Sequence, residues 1–283
     1  MAIVRLLARR LTELLLIGFL CVALVRYAPG FDVDEREWDG RLGGASIATL
    51  RANRAEQTQI VSYYLHYLAG IARGDMGISQ TFECPVVDLL AARVPHTLGL
   101  IGTGWLMGTA SALVLAIAMV SVRGRPWRVW GDCLAAALLS IPAGVLGLAA
   151  LLFGASTTVA MAIYVVPRTY EYAVRLFQRS AQSPALLVAR ARGLGWRRIL
   201  LFYWLAPLSP PLAAVLAMTF CAAFGAAIPI EVVSDSPGLG QLAWKAALGR
   251  DLPLLLAVTM IAALLTLSAN TIADLTLPDR RAV

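Results

Sequence analysis

Five stretches of this chain, about 11–28, 96–121, 133–153, 202–230 and 252–273, are apolar over lengths that a water-soluble fold rarely sustains. At about 1.5 Å per helical residue, each can cross the roughly 30 Å hydrocarbon layer of a bilayer. A sixth stretch, about 155–174, is long enough but more polar. With a mean hydropathy of +0.73 and only 14% charged residues, the chain reads as all-α, a polytopic membrane protein with six transmembrane helices. The first run follows Arg5, Arg9 and Arg10 but lacks a small-residue cleavage site and carries Glu13, so a retained anchor is expected over 1–28.

The arginines set the orientation. With the N-terminus cytoplasmic, six spans put Arg123, Arg125, Arg128, Arg168, Arg175, Arg179, Arg190, Arg192, Arg197, Arg198, Arg280 and Arg281 on the cytoplasmic side with the N-terminal three. Facing them are few acids, chiefly Asp132, Glu171 and Asp279, while Asp32, Asp34, Glu35, Glu37 and Asp39 fall outside. The positive-inside rule is satisfied, both termini are cytoplasmic, and the net charge of +7 needs no nucleic-acid partner. Without the weak fourth span, the basic segment near 190 would lie outside, against that rule.

Between the first two spans, 29–92 forms an outer region whose acidic opening gives way to a helical pattern. Ile60, Tyr64, Leu68 and Ile71 place one apolar stripe on a helix that the RGDMG sequence ends at Gly74. PVVDLLAARVP, 85–95, is expected to lie as a separate amphipathic piece in the interface. Residues 93–283 make the membrane core. On its outer side, PGLG at 237–240 is expected to turn through glycines with positive φ, and a short amphipathic helix follows.

On the inner side lies ARARGLGWRRIL, 189–200, with four arginines in twelve residues. A short helix ending at Gly193 and another starting near Trp196 would leave a low surface at Ala189 and Ala191 beside a bend. That is a shape another protein can approach, with arginines to meet acidic groups. Arginines that merely anchor the fifth span at lipid headgroups fit the same residues.

This stretch resembles the cytoplasmic coupling motif of ABC importer permeases, specifically the B-type permeases of the dipeptide, oligopeptide and nickel importers. Ala189, Arg190, Ala191, Arg192, Gly193 and Leu194 match the motif, with Arg192 in a lysine position, and Pro211 falls where a later proline is expected. Gly74, Asp75, Gly77, Ser79, Pro85, Arg93, Pro95, Thr97 and Leu98 are similar to the family's outer region. Glu231, Pro237, Gly238, Leu239, Gly240, Arg250, Asp251, Pro253, Asn270 and Asp274 follow its later order. Departures concentrate toward the outer mouth: FDVDEREWDG after Pro29 and Gly30, the short FGASTTVA connection, and Ser234 and Ser236 before PGLG. The resemblance implies a coupling segment at 183–198 that docks on an ATP-binding subunit. Its implied partners are a second ABC permease subunit, ATP-binding subunits, an extracytoplasmic substrate-binding protein and membrane lipid, in a bacterial inner membrane.

No chemistry-bearing motif competes with transport. His66 and His96 form no metal pattern, HExxH and GxSxG are absent, and the four cysteines have no ligand or disulfide spacing. The single lysine, Lys245, belongs to no phosphate loop, so ATP hydrolysis is expected on a separate subunit; no cofactor and no catalytic or metal residue is expected. Glu231, with Pro237 and Gly238, is the candidate for the translocation path or gate. It is placed at the water-accessible outer end of the fifth span, where it either meets substrate or fixes the PGLG loop. Glu13 is expected to pair with an arginine, and Asn270 and Asp274 to hold the last span against a neighbour. Two alternatives remain: an ATPase-independent secondary transporter or channel, and a non-transporting membrane partner of the same fold.

Overall fold

The computed structural model describes residues 2–27, 60–121, 125–199, 202–203 and 206–276. The acidic opening of the outer region, Arg123 and the C-terminal Asp279, Arg280 and Arg281 lie outside the described residues. The elements are α1 Ala2–Tyr27, α2 Ile60–Ala72, α3 Val86–Ser121, α4 Arg125–Leu139, α5 Ala143–Leu152, α6 Thr157–Ala181, α7 Pro184–Ala191, the single turn α8 Trp196–Arg198, α9 Ala206–Val233, α10 Leu239–Leu248 and α11 Leu252–Thr276. Among the described residues, extended pairing is limited to one isolated bridge, Ile78 to Pro85, so the all-α class holds.

Among the described residues, three helices are long and apolar enough to cross a membrane: Val86–Val120, Ala206–Val233 and Leu252–Thr271. A fourth qualifies if Val129–Leu139 and Ala143–Leu152 count as one span bent by 89°. The uninterrupted span expected at 133–153 is therefore two helices. Pro142 explains the break: it has no N–H to continue the ladder and disfavours helix at Ile141 before it. Ser140 turns its hydroxyl back to the Ala137 carbonyl at 2.7 Å. The α6 helix covers the weak 155–174 run, starting where the Ser156 hydroxyl accepts from the Thr158 N–H at 3.2 Å. Residues 86–95 are not a separate interfacial piece. They are the first turns of the 36-residue α3, which carries Pro95 inside it; a proline there forfeits one ladder bond and the long helix absorbs the loss.

The chain divides into two compact units. The first comprises residues 1–94 and 242–267. Tyr64 and Tyr67 are the buried residues of α2; of the stripe read from spacing, Tyr64 is buried while Ile60, Leu68 and Ile71 are half-buried, and Tyr67 lies outside it. The Tyr64 hydroxyl donates to the Leu15 carbonyl at 2.7 Å and its ring meets Phe19 edge-on at 5.9 Å, which fixes α2 against α1. Tyr67 donates to the Pro253 carbonyl at 3.2 Å, and burial pushes its phenol well above the usual range, so it stays a donor. Glu13 pairs with Arg9 and Arg10, each at 2.8 Å. Asp251, fully buried, caps α11 by accepting from the Leu254 N–H at 3.2 Å; its other oxygen takes the Ser79 hydroxyl at 2.5 Å and the Thr81 N–H at 2.9 Å.

The second unit comprises 95–241 and 268–283. Its core packs α5, α6, α9 and the middle of α3 around Ile101, Met161, Val165 and Ile230, with small residues such as Ala223, Ala226 and Ala227 between them. Gly104 and Gly108, four apart on α3, press against α6. A Cβ on Gly108 would lie 2.8 Å from the Ala162 carbonyl oxygen. Thr103, Thr109 and Ser111 return their hydroxyls to carbonyls of their own helix, as expected within a span.

Candidate functional site

Two segments of the second unit carry the residues singled out from sequence. The first is the basic turn. Pro184 starts α7 at a position where a missing N–H costs nothing. The helix ends after Ala191: Gly193 takes φ +66°, the Arg192 N–H donates to the Val188 carbonyl at 3.0 Å, and the Leu194 N–H reaches back to the Ala189 carbonyl at 3.3 Å. This is the glycine-terminated Schellman closure, and it requires a residue that tolerates the left-handed region. Ala189 is buried, whereas Ala191, Arg192, Gly193 and Gly195 are exposed. Among the described residues, no atom lies within 4 Å of where a Cβ on Gly193 or Gly195 would be, so the bend presents an open, low surface. Arg190 belongs to the α7 backbone, and its side chain lies outside the described residues.

The second segment surrounds Glu231, in the last turn of α9. Its side chain is 0% exposed, so it is not in contact with water as expected. Ionisable groups at membrane depth are costly unless hydrogen-bonded, and both of its oxygens are engaged. Oε1 accepts from the Thr97 hydroxyl at 2.7 Å, and Oε2 from the Gly240 N–H at 2.6 Å. The Thr97 oxygen in turn accepts from the Leu239 N–H at 2.8 Å. Leu239 and Gly240 are the first two residues of α10, whose leading N–H groups have no partner within their own helix. Thr97 from α3 and Glu231 from α9 therefore cap α10 from outside it, and the carboxylate sits at the favourable, positive end of the helix dipole.

The glycines of PGLG serve a different need from the one expected. Neither Gly238 nor Gly240 has positive φ; the left-handed residue of the loop is Asp235, at φ +52°. The need is for space. A Cβ on Gly238 would lie 2.1 Å from Glu231 Cδ and Oε1, and one on Gly240 would lie 2.6 Å from Ile228 Cα. Pro237 is exposed at the crown of the loop. The loop is tied further by Ser236 to His96 Nε2 at 2.9 Å and by the Gln241 amide to Asp235.

Of the remaining candidates, Asn270 accepts from the Cys221 thiol at 2.9 Å, joining α11 to α9, while the Asp274 side chain lies outside the described residues. His66 is bonded to the Ser62 carbonyl of its own helix, and no cluster of metal-ligating side chains occurs among the described residues. Thr97 was legible only through resemblance. Gly104 and Gly108 were missed, although their four-residue spacing is a recognisable helix-packing signal.

A family profile described as binding-protein-dependent transport system inner membrane component matches residues 108–281. Over 301 residues the chain is 28% identical to the oligopeptide transport system permease protein OppB of Haemophilus influenzae, covering 94% of each. It is 23% identical over 292 residues to the nickel import system permease protein NikB of Staphylococcus aureus, covering 95% of this chain and 87% of that one. A chain of the MetNI methionine ABC transporter, solved in an inward-facing conformation, superposes with a TM-score of 0.57 at 18% identity, over 68% of this chain and 98% of its own. That likeness concerns the fold.

Proposed function

This chain belongs to the family of binding-protein-dependent transport system inner membrane components, and from that premise we propose how it is assembled and driven. It is a membrane permease subunit of an ABC importer, a transport protein and not an enzyme. Membership favours transport over the ATPase-independent channel and the non-transporting partner that the sequence left open.

In the proposed arrangement six spans, with both termini cytoplasmic, carry an extracytoplasmic region at 29–92 and a core at 93–283. The α6 helix counts as the fourth span and the bent α4–α5 pair as the third. The chain supplies half of the translocation path, a second permease the other half, and an extracytoplasmic binding protein delivers the solute. The names of the relatives favour a peptide-like cargo, with nickel as the second class. The segment 183–198, with Ala189, Arg190, Ala191, Arg192, Gly193 and Leu194 at its centre, docks on a separate ATPase. Its motion passes into α9, which begins at Ala206. The gate assignment of Glu231, Pro237 and Gly238 becomes a latch: the carboxylate fixes the loop by capping α10 and does not itself touch solute.

The observation that carries the docking proposal is the exposed bend at Gly193, closed by its own helix cap and open to approach. Purification of the tagged chain from the membrane, with its partners identified by mass spectrometry, tests it. The wild type is expected to bring down a second permease and an ATPase, and Gly193→Trp to lose the ATPase while remaining inserted. Retention of the ATPase and of coupled hydrolysis by that variant refutes the assignment.

A further inference from the structure

Between α4 and α6 the second unit holds a cavity of about 410 Å3, lined by Asp132, Leu139, Tyr170, Glu171, Arg175 and Gln178. A smaller cleft of about 100 Å3, walled by Leu115, Met119, Leu134, Leu138 and Val166, shares Ala135 and Tyr170 with it. A chamber of mixed polar and apolar lining and an apolar slot thus meet at Ala135 and Tyr170. The Tyr170 side chain is 5% exposed, and its buried hydroxyl has no hydrogen-bond partner among the described residues. Buried hydroxyls are normally satisfied, so an orphan at a cavity wall points to a missing polar ligand. Glu171 is paired with Arg175, whereas Asp132 has no partner among the described residues. On the outward side of α4, Trp127 and Trp130 are 64% and 73% exposed. Indole rings in such positions lie at headgroup depth in a membrane.

The chamber therefore offers a carboxylate with no partner among the described residues and a hydroxyl acceptor, together with a guanidinium and an amide donor. It opens onto a slot with room for hydrocarbon alone. We infer that it binds one phospholipid with a primary ammonium headgroup, phosphatidylethanolamine. The ammonium is held by Asp132 and Tyr170, the phosphate by Arg175 and Gln178, and part of one acyl chain lies in the slot. A trimethylated headgroup has no N–H to give Asp132, and a glycerol headgroup has no cation, so phosphatidylcholine and phosphatidylglycerol fit less well. Because Gln178 lies just before the end of α6, and α6 runs into α7, the lipid would brace the helix that carries the docking segment.

The test uses the full transporter complex, reconstituted into nanodiscs of phosphatidylethanolamine with phosphatidylglycerol, re-extracted and weighed by native mass spectrometry. One phosphatidylethanolamine per copy of this chain is expected to stay bound. Asp132→Asn and the shape-preserving Tyr170→Phe should each lower its occupancy about tenfold in competition. Ala136→Trp, at an exposed position on the chamber wall, should abolish binding while a thermal melt shows the chain folded. Equal retention of phosphatidylcholine or phosphatidylglycerol overturns the inference, as does unchanged occupancy in Ala136→Trp. Absence of lipid from the wild type also overturns it, with a cross-link from Asp132→Cys to the second permease identifying protein as the occupant instead.

Discussion

A methyl group on Gly238 has nowhere to go while Glu231 keeps its place. The three atoms nearest to that Cβ all belong to the carboxylate, at 2.1 to 2.2 Å, far inside any real contact. Gly238→Ala must therefore expel the carboxylate. Its two bonds, to the Thr97 hydroxyl and the Gly240 N–H, are bonds to a charged group, worth about 1.5–3 kcal/mol each. Water reaching the displaced groups returns part of that, so a loss of about 3 kcal/mol is expected. Equilibrium unfolding in mixed detergent, followed by tryptophan fluorescence, measures it. In a Glu231→Ala background the obstructing atoms are gone, so Gly238→Ala should then cost under about 1 kcal/mol, giving a strong coupling energy in the cycle. Gly240→Ala is the internal control. Its Cβ meets the Ile228 backbone, at 2.6 Å from Cα and 2.9 Å from O, and truncating Glu231 cannot relieve that. If Gly238→Ala costs the same in both backgrounds, the spatial account of PGLG is wrong.

Four further outcomes follow from the geometry. Gly193→Ala should cost about 1 kcal/mol through its left-handed backbone alone and leave the ATPase bound, separating strain from bulk at the proposed docking bend when stability and copurification are read together. Asp251→Ala removes the α11 cap and strands the Ser79 hydroxyl and Thr81 N–H; a loss of about 3 kcal/mol is expected in the same unfolding assay. Gly108→Leu forces α3 off the Ala162 carbonyl and should cost about 2–3 kcal/mol, whereas Gly102→Ala, with no atom within 4 Å of its Cβ, should be neutral or stabilising by up to about 1 kcal/mol.

The apolar runs made the helices legible, because length and hydropathy are summed over many residues and survive local exceptions. The exceptions were not legible in the same way. Pro142 breaks the third run, yet Pro95 sits inside α3 without ending it; which outcome follows depends on what packs beside the lost bond. The bend at Gly193 was readable because a positive φ is a local demand that glycine meets alone. The requirement at Gly238 is imposed by a carboxylate seven residues earlier in the chain and by a threonine more than a hundred residues away. Position in the sequence placed Glu231 at a span's end, where water is plausible. Its burial depends on Thr97 and on the first turn of α10, which spacing along one helix cannot reveal.

The latch also answers a weakness in α9. That helix carries Pro229 two residues before Glu231, and a proline there removes the ladder bond to the Gly225 carbonyl. Among the described residues no side chain crowds Gly225 either, since a Cβ on it would meet nothing within 4 Å. The last turn of α9 is therefore held less firmly by its own backbone than the turns before it. Its carbonyls remain tied to the loop, through Ser234 to Ile230 and Ser236 to Glu231, each at 3.0 Å. Across to other helices, it is tethered by the Glu231 carboxylate on Thr97 and α10. A hinge at Pro229 with free ends would let the last turn wander; with the carboxylate fixed, it can only pivot about that point. On the proposed reading Glu231 is an orienting residue, which accounts for a costly buried acid at the end of a span without requiring it to touch what passes through the membrane.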